Sequence, residues 1–318
     1  MAQLKIAVLG ASSIGKFHVR ELINAGADVT AILGSSRETA AKTAEILLSE
    51  FGVHSKPYFE LDRLIETESI DAVSICTPPH MHYVQVKKCL EAGLHVLCEK
   101  PFVLNSYTDN YGAANELVEL SEKQGTILTV NTQWPSVLDY IKNRIDLSKL
   151  KNFSMHTQPG ALGIDMLTEQ LSHANSMVVK LISGGHAEDI KFLKHSQKEI
   201  DIYFKYINKN LECDIHYKFT HKADRPRKVA FSFDGMEFRR ELGENYQQRL
   251  VTDKTAFNIE DPFKISIEKF VGAIEGKNSP LVSKKEILEN MALQDRIIAE
   301  YIIPNQCDLD RADCRIFH

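Results

Sequence analysis

The sequence predicts an α/β protein, with an N-terminal Rossmann doubly wound parallel sheet and a C-terminal α+β domain carrying an open antiparallel sheet. Three observations carry this expectation. Through the first 130 residues, short apolar runs alternate with helical patterns, and the runs read as strands covered on both faces. A Gly-rich turn joins the first strand to the first helix. Beyond about residue 150 the apolar period falls to two, the mark of strands with one more polar face.

The elements follow in order. "LKIAVLG" (4–10) is a β-branched run ending in Gly, and the helical pattern after it, through Val19, Leu22 and Ile23, stops at Gly26. "DVTAILG" (28–34) is a second strand, and Ser36 caps an Ala- and Glu-rich helix through residue 52. "DAVSICT" (71–77) is a strand closed by Pro78-Pro79. A helix then runs to Gly93, "LHVLC" (94–98) is strand, 106–124 helix, and "TILTVN" (126–131) strand. In the second half, Ile200, Ile202, Phe204 and Tyr206 alternate with Glu199, Asp201 and Lys205. Cys213, Ile215, Tyr217 and Phe219 alternate with Asp214, His216 and Lys218, and Val229, Phe231 and Phe233 form a weaker set. Connectors as short as "NKN" make these strands antiparallel. Two helices, about 261–275 and 283–303, close the chain. The expected domains are 1–130 and 131–318.

At 318 residues two domains are expected. A net charge of -5, with Lys and Arg scattered, argues against a nucleic-acid partner. No apolar run is long enough to span a bilayer, and the start "MAQLKIAVLG" does not resemble a signal peptide. Cysteines 76, 89, 98, 213, 307 and 314 form no CxxC pair and read as reduced thiols of a cytoplasmic protein.

The first candidate site is Gly10-Ala11-Ser12-Ser13-Ile14-Gly15. Gly10 permits the tight turn, Gly15 permits close helix-on-strand packing, and the helix start offers N–H groups to a pyrophosphate. Ser12 stands where a middle Gly is usual. The bland alternative is a strand-to-helix turn with no ligand. The second strand ends "GSSR" (34–37), with no acid before Glu38 to hold ribose hydroxyls. Ser35, Ser36 and Arg37 suit a 2′-phosphate instead, so NADP is preferred over NAD. Ser36 as a simple helix cap with Arg37 solvated remains the other reading.

The most specific passage is "DAVSICTPPHMHYVQVKKCLEAGLHVLCEKPF" (71–102). A strand ends in Thr-Pro-Pro, His-x-His opens a helix, and Gly-x-His-Val leads a strand into Glu-Lys-Pro. With "GASSIGKFH" and its His18, this resembles the Gfo/Idh/MocA oxidoreductases (glucose–fructose oxidoreductase, inositol dehydrogenase and relatives). The resemblance implies a nicotinamide cofactor on the N-terminal domain, bordered by Thr77, Pro78, His82, Glu99, Lys100 and Pro101. It places Lys100 at the nicotinamide and the reacting carbon, with Glu99 holding the region and Pro101 fixing the backbone. A Lys can hydrogen-bond a carbinol or carbonyl oxygen and join a proton relay. His80 and His82 lack a third ligand at sensible spacing, so no metal is expected.

Members of that family carry an Asp and, four residues on, a His acting as general acid/base. Here "GIDMLTEQLSHANSM" (163–177) places Asp165, Glu169 and His173 on one helical face. Either Asp165 takes the Asp position and Glu169 stands where His belongs, or Glu169 and His173 form the pair. The second is preferred because "HANSMVVKLISGG" continues like the family's helix. Asp165 then lies toward substrate. In "VNTQWPSVLDYI" (130–141), Gln133 and Trp134 are candidate substrate contacts; Trp134 could stack on a sugar ring or pack at a domain boundary.

The expectation is therefore an NADP-preferring, or NAD-dependent, dehydrogenase or reductase of a sugar, cyclitol or related polyol. It would be a homo-oligomer through the C-terminal sheet, with a small-molecule substrate and no membrane partner. The alternatives are a non-catalytic cofactor-binding sensor of the same fold, or a reductase of a non-sugar substrate.

Overall fold

The computed structural model describes residues 3–104, 109–243 and 247–302; Cys307, Cys314 and the final residue of the 283–303 helix lie outside these. The described chain divides into two compact units. The first takes residues up to 104, then 112–136 and 260–288; the second takes 109–111, 137–259 and 289–302.

In the first unit the chain runs β1 (Lys5–Leu9), α1 (Ile14–Asn24), β2 (Asp28–Leu33), α2 (Arg37–Phe51), β3 (Lys56–Tyr58), α3 (Leu61–Thr67), β4 (Ala72–Ile75), α4 (His82–Glu91), β5 (His95–Cys98), α5 (Tyr111–Gln124) and β6 (Leu128–Val130). The sheet order is β3-β2-β1-β4-β5-β6, and each pairing is parallel. This is the Rossmann order, whose direction reverses between β1 and β4. Apolar strands are what such a sheet demands. Ile6, Ala7, Val8 and Leu9 are all fully buried, because helices cover both faces.

A single cut at 130/131 does not describe the units. The helix Pro262–Ile274 belongs to the first, since Ile267, Phe270 and Val271 join Ile6, Val8, Val19 and Leu22 in one buried cluster. Its apolar stripe has the spacing of a core-facing helix face, and α1 supplies the matching one. Asp261 caps it by accepting the Phe263 N–H at 3.0 Å.

The second unit contains α6 (Leu138–Ile141), β7 (Asn152–Thr157), α7 (Ile164–Leu181), β8 (His186–Ser196), β9 (Glu199–Ile207), β10 (Glu212–Thr220), β11 (Val229–Phe233), β12 (Met236–Leu242), β13 (Gln248–Val251) and β14 (Ala256–Asn258). The late helix above is α8, and α9 (Lys284–Ile302) ends the described chain. The eight-stranded order is β14-β13-β12-β11-β7-β10-β9-β8. One pairing departs from the expected antiparallel sheet: β7 and β10 run parallel, Ile215 opposite Phe153 and Tyr217 opposite Met155. The reason is connectivity. Helix α7 carries the chain from β7 to the far edge, and two hairpin reversals bring it back in the same direction.

One sheet face is apolar and buried, with Ile200, Ile202, Phe204, Ile215, Tyr217 and Phe219 almost wholly covered. The opposite face carries Glu199, Tyr203, Lys205, His216 and Lys218. Among the described residues no helix is long and apolar enough to cross a membrane. Cys76, Cys89, Cys98 and Cys213 are buried free thiols.

Candidate functional site

The carboxyl edge of the parallel sheet gathers the first group of candidate residues. Each residue leaving a strand is stitched to its neighbour: Gly10 N–H donates to Leu33 O, Cys76 to Leu9 O, Glu99 to Ile75 O and Asn131 to Cys98 O, at 2.8–2.9 Å. These bonds align the turns after β1, β4, β5 and β6 as one edge, where open α/β sheets bind ligands.

The Gly-rich turn fits a dinucleotide. Gly10 adopts φ +83, and a Cβ there would come within 2.8 Å of the Cys76 carbonyl oxygen. A Cβ on Gly15 would overlap the Gly10 carbonyl. Ser12, Ser13 and Ile14 are exposed, and Ser13 makes no side-chain capping bond at the start of α1. The Lys16 N–H donates to Ser13 O at 3.2 Å, which leaves the Ile14 and Gly15 N–H groups for a pyrophosphate.

Below the edge lies a buried polar hub. Glu99 Oε1 is 2.9 Å from His18 Nε2 and accepts the Asn131 side-chain N–H at 2.6 Å; Oε2 accepts the Lys100 backbone N–H at 3.2 Å. His18 Nδ1 is 2.8 Å from Ser74 Oγ, and Phe263 meets the imidazole edge-on at 5.0 Å between centroids. Burial opposes the Glu99 charge, but the hydrogen bond and charge of His18, then Lys100 and Asn131, hold the carboxyl down at about 2. Burial likewise opposes charge on His18, yet Cys76 and the Glu99 carboxylate push it up to about 10. Both shifts favour the charged forms, the direction expected of an ion pair. The pair ties α1, just past the Gly-rich turn, to the strand end bearing Lys100 and to the start of the Gln133–Trp134 segment. The sequence pattern noted His18 but gave it no partner, since Glu99 is 81 residues away.

The remaining edge residues divide by exposure. Pro78 is exposed, Thr77 and Lys100 are half-buried, and Pro101 is buried after a cis peptide bond. His82 is fully buried, with Nδ1 2.9 Å from Pro101 O and Nε2 2.8 Å from Thr77 O. It braces two edge loops from beneath rather than facing outward. Burial lowers its pKa, and the two carbonyls only partly offset this. Trp134 is 6% exposed, so it presents no open ring face, while Gln133 is half-buried.

At the end of β2, Ser36 accepts the Thr39 N–H at 3.2 Å while Thr39 Oγ1 accepts the Ser36 N–H at 2.9 Å, a reciprocal cap. Ser35 Oγ lies 3.2 Å from Thr39 Oγ1. The Arg37 guanidinium sits over the Phe59 ring, 5.0 Å from its centroid.

The second unit holds the other group on α7. That helix is buried along Met166, Leu167, Gln170, Leu171, Ala174 and Val178, whereas Asp165 is exposed and Glu169 and His173 are half-buried. The four-residue spacing does place the three on the helix's accessible stripe. Partial loss of solvent around its carboxyl raises the Asp165 pKa even though the residue as a whole is exposed. Glu169 accepts the Ala161 N–H at 3.1 Å and lies 3.6 Å from Arg227, a residue with no role in the sequence expectation. Glu169 is thus anchored to the segment leading into its own helix. Among the described residues no cluster of His, Cys, Asp and Glu could hold a metal ion.

A Gly-rich turn on a 3-2-1-4-5-6 parallel sheet defines a dinucleotide-binding domain. Comparison with known proteins gives the narrower assignment. Residues 4–132 match the model of the oxidoreductase family with an NAD-binding Rossmann fold, the family that the sequence motifs resemble. An uncharacterized oxidoreductase of Schizosaccharomyces pombe is 35% identical over 41% of this chain and 34% of its own length. Inositol 2-dehydrogenase of Corynebacterium glutamicum is 30% identical over 38% of this chain and 33% of its own. The chain thus aligns with about a third of the length of either relative. In three dimensions, UDP-N-acetylglucosamine 3-dehydrogenase of Acidithiobacillus ferrooxidans superposes with TM-score 0.73 and 17% identity, covering 94% of this chain and 98% of that one. The likeness is one of fold.

Proposed function

We propose that the protein is an NADP-preferring dehydrogenase or reductase acting on a CH–OH or carbonyl carbon of a sugar, cyclitol or related polyol. The observation that carries this reading is the buried Glu99 hub, which fixes the Lys100 backbone at the carboxyl edge beside a turn shaped for a dinucleotide.

Gly10, Ser12, Ser13, Ile14 and Gly15 would hold the pyrophosphate, and Thr77, Pro78, Lys100 and Pro101 would border the nicotinamide. The cofactor supplies a hydride acceptor or donor at the nicotinamide C4. In the oxidative direction, Lys100 donates a hydrogen bond to the reacting oxygen and stabilises negative charge as its proton leaves. His173 removes that proton, with Glu169 and Asp165 on the same stripe orienting the imidazole or a neighbouring hydroxyl. The alcohol's proton would thus pass to His173 while Lys100 holds the oxygen, with the bound cofactor supplying the hydride acceptor. Buried thiols suit a reducing compartment such as the cytoplasm. A homo-oligomer would form over the open sheet face, where Tyr203 and Leu193 are 38% and 54% exposed.

The test is a panel of polyols and ketoses with NADPH, NADH and their oxidised forms. Lys100→Ala and His173→Ala should each lower kcat about 10²- to 10⁴-fold while cofactor titration stays near wild type for His173→Ala. Cofactor binding with no turnover on any substrate would instead favour a sensor. Undiminished turnover in both variants would overturn the site.

A further inference from the structure

Arg37 is exposed at the first position of α2, three residues after Gly34, which follows β2. Among the described residues its guanidinium makes no hydrogen bond and no ion pair; its placed contact is the Phe59 ring. Phe59 follows β3, whose last residue Tyr58 pairs with Leu33 at the end of β2, and Gly34 N–H donates to Tyr58 O at 2.8 Å. Backbone pairing therefore sets the ring and the guanidinium side by side at one strand end. The ring is 41% exposed, so it is no part of the core and its removal opens no cavity. The neighbouring hydroxyls are already engaged. Ser36 and Thr39 bond each other's N–H groups, and Ser35 lies against Thr39. Of the Ser35-Ser36-Arg37 trio, the Arg side chain keeps its donors for a ligand.

We propose that Phe59 is a specificity-determining residue of the adenosine subsite, holding Arg37 ready for the 2′-phosphate of NADP. The inference rests on the NADP reading above and deepens it. The physical ground is preorganisation. A free Arg must give up rotamer freedom when it clamps a phosphate, whereas one lying on an aromatic face has already lost part of it. The ring also shields one guanidinium face from water, which strengthens the charge seen by the phosphate. NAD, with a hydroxyl in that position, gains little from either effect.

The experiment is fluorescence titration of the full chain with NADPH and NADH, plus displacement of NADPH by 2′,5′-ADP, a probe without nicotinamide. Phe59→Ala should weaken NADPH and 2′,5′-ADP about three- to five-fold and leave NADH unchanged. Phe59→Tyr, which keeps the ring face, should restore wild-type values. In an Arg37→Ala background, Phe59→Ala should have no further effect. Equal weakening of NADPH and NADH, or no change in either, would overturn the role of Phe59. Tighter NADH than NADPH in the wild type, insensitive to Arg37→Ala, would overturn the NADP reading itself. Loss of NADPH preference in Arg37→Ala but not in Phe59→Ala would sink only the present inference.

Discussion

Two histidines, one in each unit, show how the same side chain takes opposite electrostatic roles. His18 in the parallel-sheet unit is wholly enclosed, yet its pKa is raised, because Cys76 and the Glu99 carboxylate outweigh the burial that opposes its charge. His156, on the polar face of the mixed sheet, is only partly covered, yet its pKa is lowered to about 4. Burial comes first there, and Lys228 and Lys218 add to it against the weaker pull of Glu237 and Asp201. Its Nε2 lies 2.9 Å from Thr220 Oγ1, a neutral partner. Partner charge thus decides the sign. A sheet covered on both faces can enclose an ion only with its counter-ion, whereas a half-covered face leaves a His free to stay neutral.

The comparison is most easily broken at Glu99. Glu99→Ala would leave His18 enclosed without its carboxylate and should destabilise the protein by about 3–5 kcal/mol, read by chemical denaturation. A loss below 1 kcal/mol would mean the pair is not ionic. The pH dependence is next in size, and its sign differs between the two residues. Raised from 6.5, His18 contributes stability that is complete below about pH 6.5 and fades as pH climbs toward 10. Glu99, lowered from 4.5, contributes above about pH 4.5 and fades toward pH 2. The gap between wild type and His18→Gln should therefore be widest from about pH 4.5 to 6.5.

His156 works the other way. Its folded pKa lies below 6.5, so the unfolded chain binds the extra proton and stability falls as pH drops from 6.5 to 4. His156→Gln should gain about 1–2 kcal/mol on wild type over that range, solvent screening included. Parallel pH profiles for the two proteins would remove the contrast. The smallest effect is expected at the Asp201–His216 pair on the same open face. His216 Nε2 lies 2.9 Å from Asp201 Oδ1 and the imidazole stacks on Tyr203 at 4.1 Å. His216→Ala should cost about 1 kcal/mol in a denaturation midpoint, since the imidazole is a third exposed and Asp201 retains Lys218 nearby.

Legibility followed the range of the interactions involved. The turn after β1 was readable because a Gly-rich strand–turn–helix pattern is local, although the close approach that demands Gly10 comes from the Cys76 carbonyl at the end of β4. Glu99-Lys100-Pro101 stood out because a charged pair is a poor continuation of an apolar strand. The strands β9 and β10 alternate cleanly and were found. β8 was not, since its register shifts between Glu188 and Lys191 and again between Lys194 and Ser196, which breaks the period of two. β3 is three residues long, "KPY", and carries no periodic signal. Trp134 carries two readings in the sequence, a stacking platform or a packed ring at a domain boundary; its burial is that of a packed ring, and its neighbours in sequence do not reveal the packing.

The sequence by itself determined the fold class, the strand-to-helix turn and the identity of the edge residues, because apolar periodicity and turn chemistry are local. Only the tertiary structure decided how those residues are used. It joined His18 to Glu99 across 81 positions, gave β7 a parallel partner, returned the Pro262–Ile274 helix to the first unit and laid Arg37 on Phe59. Each depends on which distant segments the core brings together, and that follows from burying apolar surface over the whole chain rather than from any one stretch of it.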